Sequence, residues 1–330
     1  MRNGFFMGYD ASKLAEVEIL GQARLLLDTG LYQAGYNVIR LGDCRDGRVR
    51  DAQTLALTLR ARGFALDVTL RPSDDADSAD ALISEIGARM VTLPQGMEWE
   101  RAKAIAKALS GKVRIAICLA PEDFGRAAEM ADVVELHNLR DTDDFFEITR
   151  NRLDSCRDSD TDPAASDANL RREALRPGGS WMCGNLPLRF DAYRNEAIFA
   201  QHCMLGCPLV LEGDIGQMSA ATLALARSER LIALAMRGTG RVARYYDPWH
   251  VLLVKTLSDT AACAMILNRC HGDQPTNILP ADMGWNGRFS VRELLSDRLI
   301  GANLEGFEVH VETSDHPQTP CCQLYILEKI

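Results

Sequence analysis

The amino-acid sequence predicts an α/β fold: a (β/α)8 TIM-like barrel followed by a C-terminal antiparallel β-sandwich domain. Three observations support this prediction. Helical and strand-like segments alternate from residue 13 to about residue 235, which is typical of a parallel sheet with helical crossovers. Beyond residue 240 the apolar residues recur with period two, as in antiparallel strands. Seven or eight strand units precede residue 212, and no glycine-rich dinucleotide motif follows the first of them, so a closed barrel is favoured over an open doubly wound sheet.

The barrel elements follow from apolar periodicity and from the glycines that end helices. Apolar residues three and four apart predict helices, and short apolar runs between them predict strands. Gly63 directly follows one helical stretch and suits a C-cap, because glycine adopts the left-handed conformation at low cost. The predicted helices cover residues 15–31, 51–62, 77–87, 98–109, 191–205, 219–226 and 229–236. The predicted strands cover residues 36–41, 64–70, 89–93, 113–119, 133–136 and 208–211.

A change of composition after Gly238-Thr239-Gly240 marks the predicted domain boundary. We predict a barrel domain over residues 1–238 and a β domain over residues 239–330. The β domain has strand patterns at residues 251–255, 262–267, 289–294, 307–311 and 323–327. Within the barrel domain, the polar segment from Asp154 to Gly179 is long for a loop in a compact domain, which is typical of a functional or mobile segment.

Charge and hydropathy limit the classes of partner. The 330 residues include 46 acidic and 37 basic side chains, for a net charge of −9, which argues against binding to nucleic acid or to anionic membranes. No run approaches the ~20 apolar residues of a transmembrane helix. The N-terminus also lacks the apolar run of a signal peptide. We therefore expect a cytoplasmic protein with no nucleic-acid or membrane partner, and secretion of a processed chain stays open as the alternative.

The ten cysteines do not form a recognisable metal motif. Several lie within apolar strand or helix patterns, where cysteine packs as a small hydrophobic residue. Cys203 and Cys207 are four apart and could share a helix face, but no C-x-x-C pair is present, and a structural zinc site needs four suitably spaced ligands. We expect reduced thiols, no metal site and no cofactor.

Three stretches carry a resemblance to a known enzyme family. The second predicted strand ends in Leu41-Gly42-Asp43-Cys44, the stretch from Tyr193 to Ala233 contains Pro208–Leu211 and Asp214, and Lys255–Asp259 precedes Asn268-Arg269. These stretches resemble the family 27 glycoside hydrolases, which are retaining α-galactosidases and α-N-acetylgalactosaminidases. In that family they correspond to strand 2 with its Asp-Asp-Cys end, to strand 8 with its neighbouring helices, and to the first hairpin of the β domain. The resemblance spans nearly the whole chain and implies a galactoside-like carbohydrate partner.

The resemblance also implies where catalytic carboxylates would stand. The family uses a nucleophile at the end of strand 4 and an acid/base after the strand 6 region, ~5–5.5 Å apart. Aligning residues 89–94 with strand 4 places Pro94 at the nucleophile. Aligning residues 181–186 with the family's Trp-Asn-Asp-Pro-Asp-Met places Asn185 at the acid/base. Proline carries no nucleophile, and asparagine cannot exchange a proton as a carboxyl group does.

Three residues are candidates for sugar binding. Asp43 corresponds to one of two sugar-binding aspartates of the family, the other being replaced by Gly42, and its alternative role is that of a loop or N-cap acid. Trp181 could stack on a sugar ring or pack beside the barrel. Asp214 follows the last barrel strand and could contact substrate or cap the next turn.

Two acids are candidate replacements for the missing catalytic pair. Glu212 follows the last barrel strand, at a position that the resemblance assigns to a glycine on the pocket rim. Glu135 lies in the sixth strand near His137, and its alternative role, which the sequence favours, is an ordinary strand-end salt bridge. Carboxylates at the C-terminal ends of barrel strands are well placed for catalysis.

Two functional hypotheses follow. The first is a degenerate relative of the family that binds carbohydrate, or serves as a scaffold, without family-type hydrolysis. The second is an active glycosidase whose carboxylates have moved, with Glu212, Asp43 and Glu135 as candidates. The replacement of both family carboxylates favours the first hypothesis. Either is compatible with a homo-oligomer.

Overall fold

A computed structural model describes most of the chain. The described residues are 4–119, 123–136, 145–154, 179–182, 184–246, 250–268, 275–311 and 321–330. Most of the predicted loop at 154–179, and His137, lie outside these ranges. The chain divides into two compact units, each taken separately below. The first comprises residues 1–138, 173–188 and 208–223, and the second comprises residues 139–172, 189–207 and 224–330.

The first unit is built on a parallel sheet. Its strands are β1 (Met7–Asp10), β2 (Val38–Arg40), β3 (Ala65–Thr69), β4 (Met90–Leu93), β5 (Arg114–Leu119), β6 (Val133–Leu136), β7 (Ser180–Met182), β8 (Leu186–Pro187) and β9 (Leu209–Glu212). Their order across the sheet is β7-β6-β5-β4-β3-β2-β1-β9-β8.

The sheet closes through one broken strand. β7 pairs with β6 at one edge of the sheet and β8 pairs with β9 at the other, both in parallel. Only residues 183–185 separate β7 from β8. The segment 180–187 therefore joins the two edges and takes the seventh of eight strand positions, with β9 as the eighth. This confirms the predicted TIM-like barrel.

The described helices begin and end largely where the periodicity predicts. They are α1 (Glu16–Asp28), α2 (Leu31–Ala34), α3 (Ala52–Ala61), α4 (Ala76–Ile86), α5 (Trp99–Leu109), α6 (Phe124–Ala128), α7 (Phe145–Asp154), α8 (Ala192–Leu205), α9 (Ala220–Ala226) and α10 (Glu229–Met236). Asp51, Asp75, Asp191 and Ser228 cap the N-termini of α3, α4, α8 and α10, because their side chains accept backbone N–H bonds. Among the described helices, none has the length and apolarity needed to span a bilayer.

The second unit contains the predicted antiparallel β-sandwich. Its strands are β10 (Arg241–Tyr245), β11 (His250–Ser258), β12 (Ala261–Asn268), β13 (Pro275–Ile278), β14 (Phe289–Glu293), β15 (Leu299–Leu304), β16 (Phe307–His310) and β17 (Cys322–Lys329). One sheet has the order β10-β11-β12-β17-β14-β15, and β13 pairs with β16 in a second. A buried cluster that includes Leu252, Ile266, Phe289 and Leu327 forms its core. The domain boundary at residue 238 stays a prediction.

Candidate active-site region of the barrel

The side chains inside the barrel change from apolar to polar along the strands. A buried apolar cluster contains Met90, Ala116, Val133, Met182 and Val210, and the partly buried Val38 packs against it. Successive side chains of a strand point to opposite faces, so the residue two positions further on also faces the interior. At β2, β4, β6 and β9 that residue is Arg40, Thr92, Glu135 and Glu212. The C-terminal half of the barrel, where TIM barrels carry their active sites, is therefore lined with polar groups.

Arg40 is the centre of this polar layer. Its Nη1 and Nη2 atoms donate to the two carboxylate oxygens of Glu135, at 3.1 and 2.7 Å, and its Nε donates to Asp67 at 2.8 Å. Thr92 donates its hydroxyl to Asp67 and accepts from Arg40 at 3.3 Å. Two carboxylates thus share one guanidinium in a network whose members come from strands β2, β3, β4 and β6.

The network occupies the middle of the barrel. Arg40, Asp67 and Glu135 are 7%, 1% and 9% exposed, so a ligand has almost no access to them. Burial raises the pKa of Asp67 to about 6; Arg40 opposes this rise and the charge of Glu135 adds to it. Glu135, a candidate replacement catalyst, is held by Arg40 in a bidentate pair. This arrangement favours the strand-end salt bridge that the sequence left open.

A second cluster joins the ends of β1 and β9 to the broken strand. The Nδ2 of Asn185 donates to Oδ2 of Asp10 at 2.6 Å and to Oε2 of Glu212 at 3.2 Å. Lys13 forms an ion pair with the other oxygen of Glu212 at 3.2 Å. Because one nitrogen bonds to both, Oδ2 of Asp10 and Oε2 of Glu212 are no farther apart than about 6 Å, a limit that is compatible with the separation in retaining glycosidases.

An open cavity of about 710 Å³ lies beside this second cluster. Its lining includes Asp10, Lys13, Glu18, Glu212 and Asp214, and the cavity lies within the first unit. Burial raises the pKa of the Tyr9 hydroxyl, and the charges of Asp214, Asp10, Glu212 and Glu18 raise it further. The cavity therefore has a predominantly anionic lining with several hydrogen-bond acceptors.

Asp43 lies in a separate network of four charged residues. Its two oxygens accept from Nε of Arg45 at 3.1 Å and from Nε of Arg71 at 2.7 Å, while Arg45 also binds Asp74 through both terminal nitrogens. Burial raises the pKa of Asp43, but the hydrogen bonds from Arg71 and Arg45 outweigh it and lower the pKa overall. Asp43 is thus an ionised acceptor whose orientation both arginines fix.

Pro94 directly follows β4, the fourth strand of the barrel. The next residues are Gln95, Gly96 and Met97, so this strand end carries no carboxylate where the resemblance expects the nucleophile. Asn185, in contrast, lies in the seventh strand position, one strand beyond the sixth. Its assignment to the acid/base stays a prediction. The residues that immediately follow β6, 137–144, lie outside the described ranges.

The two other sugar-binding candidates have clear local surroundings. Trp181 alternates with Met182, which belongs to the interior cluster, so its ring faces away from the barrel interior and is fully buried. Both facts favour packing, the alternative that the sequence left open for Trp181. Asp214 accepts from Nε2 of Gln22 at 2.8 Å and from the backbone N–H of Gly216 at 2.9 Å. It therefore caps the turn at 215–217 while also lining the cavity.

A metal site or a disulfide bond requires suitable side chains to be grouped in space, and the structure gives that grouping for the described ranges. Within them, no three His, Cys, Asp or Glu side chains are grouped to hold a metal ion. The cysteines described by the structure are free thiols, and Cys156, Cys183 and Cys270 lie outside the described residues.

Comparison with known proteins shows which solved structures have a similar fold. No protein-family model and no curated protein matches the sequence, but solved structures do. α-Galactosidase I from Mortierella vinacea matches with a TM-score of 0.77 at 14% identity, over 100% of this chain and 98% of that one. A family 27 β-L-arabinopyranosidase from Geobacillus stearothermophilus matches with a TM-score of 0.77 at 14% identity, over 98% and 96%. An α-galactosidase from Saccharomyces cerevisiae with raffinose gives 0.76 at 14%, over 99% and 98%.

The barrel followed by the antiparallel sandwich is thus a fold like that of the family 27 glycoside hydrolases. The match extends over almost the whole of this chain and of these three structures. At these identities the likeness defines the architecture, whereas activity depends on the site.

Proposed function

We propose that this chain is a carbohydrate-binding protein on the family 27 glycoside hydrolase fold that does not hydrolyse α-galactosides by the family's mechanism. The observation that carries the proposal is Pro94 at the end of β4. Retaining hydrolysis requires a carboxylate that forms the glycosyl-enzyme bond, and neither Pro94 nor the three residues after it can form that bond.

The buried Arg40 network supports the same proposal. A catalytic carboxylate must reach the anomeric carbon or the glycosidic oxygen of a bound substrate. Asp67 and Glu135 are buried and bound to Arg40, so they are poorly placed to replace the absent nucleophile.

The accessible carboxylates support the proposal of carbohydrate binding. The cavity beside β1 and β9 is lined by the carboxylates of Asp10, Glu212 and Asp214, and Asp43 is an oriented acceptor. Such acceptors suit the hydroxyl groups of a sugar. Two of the similar structures were solved with raffinose and with arabinose.

The test combines an activity assay with a binding assay. We expect no release of p-nitrophenol from p-nitrophenyl α-galactoside above background, and saturable galactose binding by isothermal titration calorimetry. Asp43→Ala is expected to weaken galactose binding about tenfold or more, since it removes a charged acceptor. Asp46→Ala removes an exposed neighbouring acid and serves as the control. Turnover by the wild-type protein, or the absence of any sugar binding, contradicts the proposal.

A second candidate function has one specific observation in its favour. Asp10 and Glu212 approach to within about 6 Å through Asn185 and both line the open cavity, a limit that is compatible with the separation in a retaining pair. An active glycosidase with Glu212 and Asp10 as its carboxylates is therefore the alternative. It predicts hydrolysis of an aryl glycoside that Glu212→Gln and Asp10→Asn each abolish, and that Glu100→Gln, at an exposed position of α5 outside the cavity, leaves unchanged.

A further inference from the structure

A small cavity in the second unit lies against helix α10. Its volume is about 240 Å³, and its helical wall carries Arg230, Leu234 and Arg237. These positions lie on one helix face, because residues three, four and seven apart align along an α-helix. Leu257, Leu294 and Ile326 supply the opposite, apolar side. The cavity is smaller than the ~300–1,000 Å³ typical of drug-sized ligands, so it suits a small molecule.

The charged side chains that line this cavity are all cationic. In the part of the chain that the structure describes, the lining has two guanidinium groups and no carboxylate. Arg230 is already engaged, since Nη1 donates to the carbonyl of Leu294 at 2.8 Å and Nη2 lies 3.4 Å from Asp297. Arg237 is exposed and forms no ion pair with the described residues. Arg237 is therefore the cation available to a ligand.

The end of helix α10 does not cancel this positive charge. A helix C-terminus is normally negative because its last carbonyls lack donors. Here the carbonyl of Leu234 accepts from Nζ of Lys255 at 2.5 Å, and the same Nζ donates to the carbonyl of Cys203 at 2.7 Å. The buried ammonium reduces the negative field that the helix end would otherwise direct at an anion.

From this geometry we infer that the cavity binds a small amphiphilic carboxylate, with its hydrocarbon part against Leu257, Leu294 and Ile326 and its carboxylate on Arg237. Arg230 and Arg237 are two helical turns apart, about 10 Å along the axis. An alkyl or aryl group can occupy the apolar surface between them. The planar guanidinium matches a carboxylate through two parallel hydrogen bonds.

The test uses octanoate as the anionic probe and 1-octanol as its neutral counterpart, by calorimetric titration of the whole protein. We expect one saturable octanoate site and binding of 1-octanol about tenfold weaker or less, since the charged hydrogen bonds supply the difference. Arg237→Gln is expected to lower the affinity for octanoate to that for 1-octanol. Arg288→Gln, which changes an exposed arginine outside the cavity, is the matched control and leaves both affinities unchanged.

A second variant tests the contribution of the cavity independently of the charge of Arg237. Ala233→Trp fills the space at an exposed helix position and is expected to abolish binding of both probes, while circular dichroism and thermal unfolding report an intact fold. Three results each overturn the inference: no saturable octanoate binding, equal affinity for octanoate and 1-octanol, or an unaltered octanoate affinity in Arg237→Gln. None of them bears on galactose binding or hydrolysis by the barrel.

Discussion

Arg40 and Glu135, 95 residues apart in the sequence, meet inside the barrel through two parallel hydrogen bonds of 3.1 and 2.7 Å. The same guanidinium bonds to Asp67 at 2.8 Å. One cation therefore serves two carboxylates in a region that water scarcely reaches. Among the residues that the structure describes, Arg40 is the cation that balances the charges of these two carboxylates.

Replacement of Arg40 by methionine should strongly destabilise the protein. It leaves the carboxylates of Asp67 and Glu135 buried without a counter-ion, and breaking such a pair costs about 3–5 kcal/mol. Urea unfolding followed by circular dichroism measures the loss. The triple variant Arg40→Met, Asp67→Asn, Glu135→Gln removes all three charges and is expected to recover most of the stability. A triple variant no more stable than the single one would falsify this account.

The stability of the barrel should depend on pH through Asp67. Burial raises the folded-state pKa of Asp67 from 3.8 to about 6, with Arg40 opposing and Glu135 adding to the rise. Folding therefore favours the protonated acid, so its contribution is complete below about pH 4 and is lost as the pH rises through about 6. Asp67→Asn should flatten the fall in unfolding free energy over this interval. Equal slopes for the two proteins between pH 4 and pH 7 contradict the assignment.

Asn185→Asp should destabilise the end of the broken strand at alkaline pH. The change removes the Nδ2 donor shared by Asp10 and Glu212 and places a third carboxylate between them. We expect a loss of roughly 1–3 kcal/mol at pH 8. Asn277→Asp, at an exposed strand position, is the control. An equal loss of stability in both variants contradicts a stabilising role for the hydrogen bonds from Asn185 to Asp10 and Glu212.

Lys255→Met should weaken the second unit. Lys255 is 1% exposed, and its ammonium satisfies carbonyls near the ends of α8 and α10. Methionine keeps most of the apolar stem but removes the donor, so two buried acceptors lose a partner at a cost of about 2–3 kcal/mol. Lys329→Met, at an exposed position, should change stability by less than about 0.5 kcal/mol. Thermal unfolding of both variants makes the comparison.

Gly206→Ala should cost more than Gly96→Ala, although both glycines have positive φ. A Cβ on Gly206 would lie 1.9 Å from the carbonyl oxygen of Gly238, whereas a Cβ on Gly96 would meet nothing within 4 Å. Gly96→Ala therefore carries only the left-handed backbone cost of about 1–2 kcal/mol. Gly206→Ala adds a collision with backbone and should lower the unfolding midpoint further. Equal midpoints contradict this prediction.

Much of the architecture follows directly from the sequence. The predicted helix at 98–109 is observed at Trp99–Leu109, and the predicted strand at 133–136 is observed at Val133–Leu136. The helix was predictable because one buried face sets its periodicity, and the strand because it is a short run that is buried throughout. The predicted helix at 15–31 is instead two helices, since Gly30 adopts a left-handed conformation between them.

The candidate site was less predictable, for two physical reasons. β1 has four residues, one of them glycine. This stretch is too short to show an alternation of apolar and polar residues, so the sequence predicts neither the strand nor a site role for Asp10. The Arg40 network also depends on the stagger between strands: Arg40 pairs in register with Asp67, while Thr92 and Glu135 come from strands farther around the barrel. Sequence spacing carries no record of that stagger.

Barrel closure has a consequence for biosynthesis. Met7 of β1 pairs with Leu209 of β9, so one edge of the first strand has no partner until about 200 further residues have been made. At the ~5–20 residues per second of translation, this interval lasts roughly 10–40 seconds. An unpaired strand edge readily pairs with other chains. Soluble yield should therefore depend on expression temperature and on the supply of chaperones that shield the nascent N-terminal half.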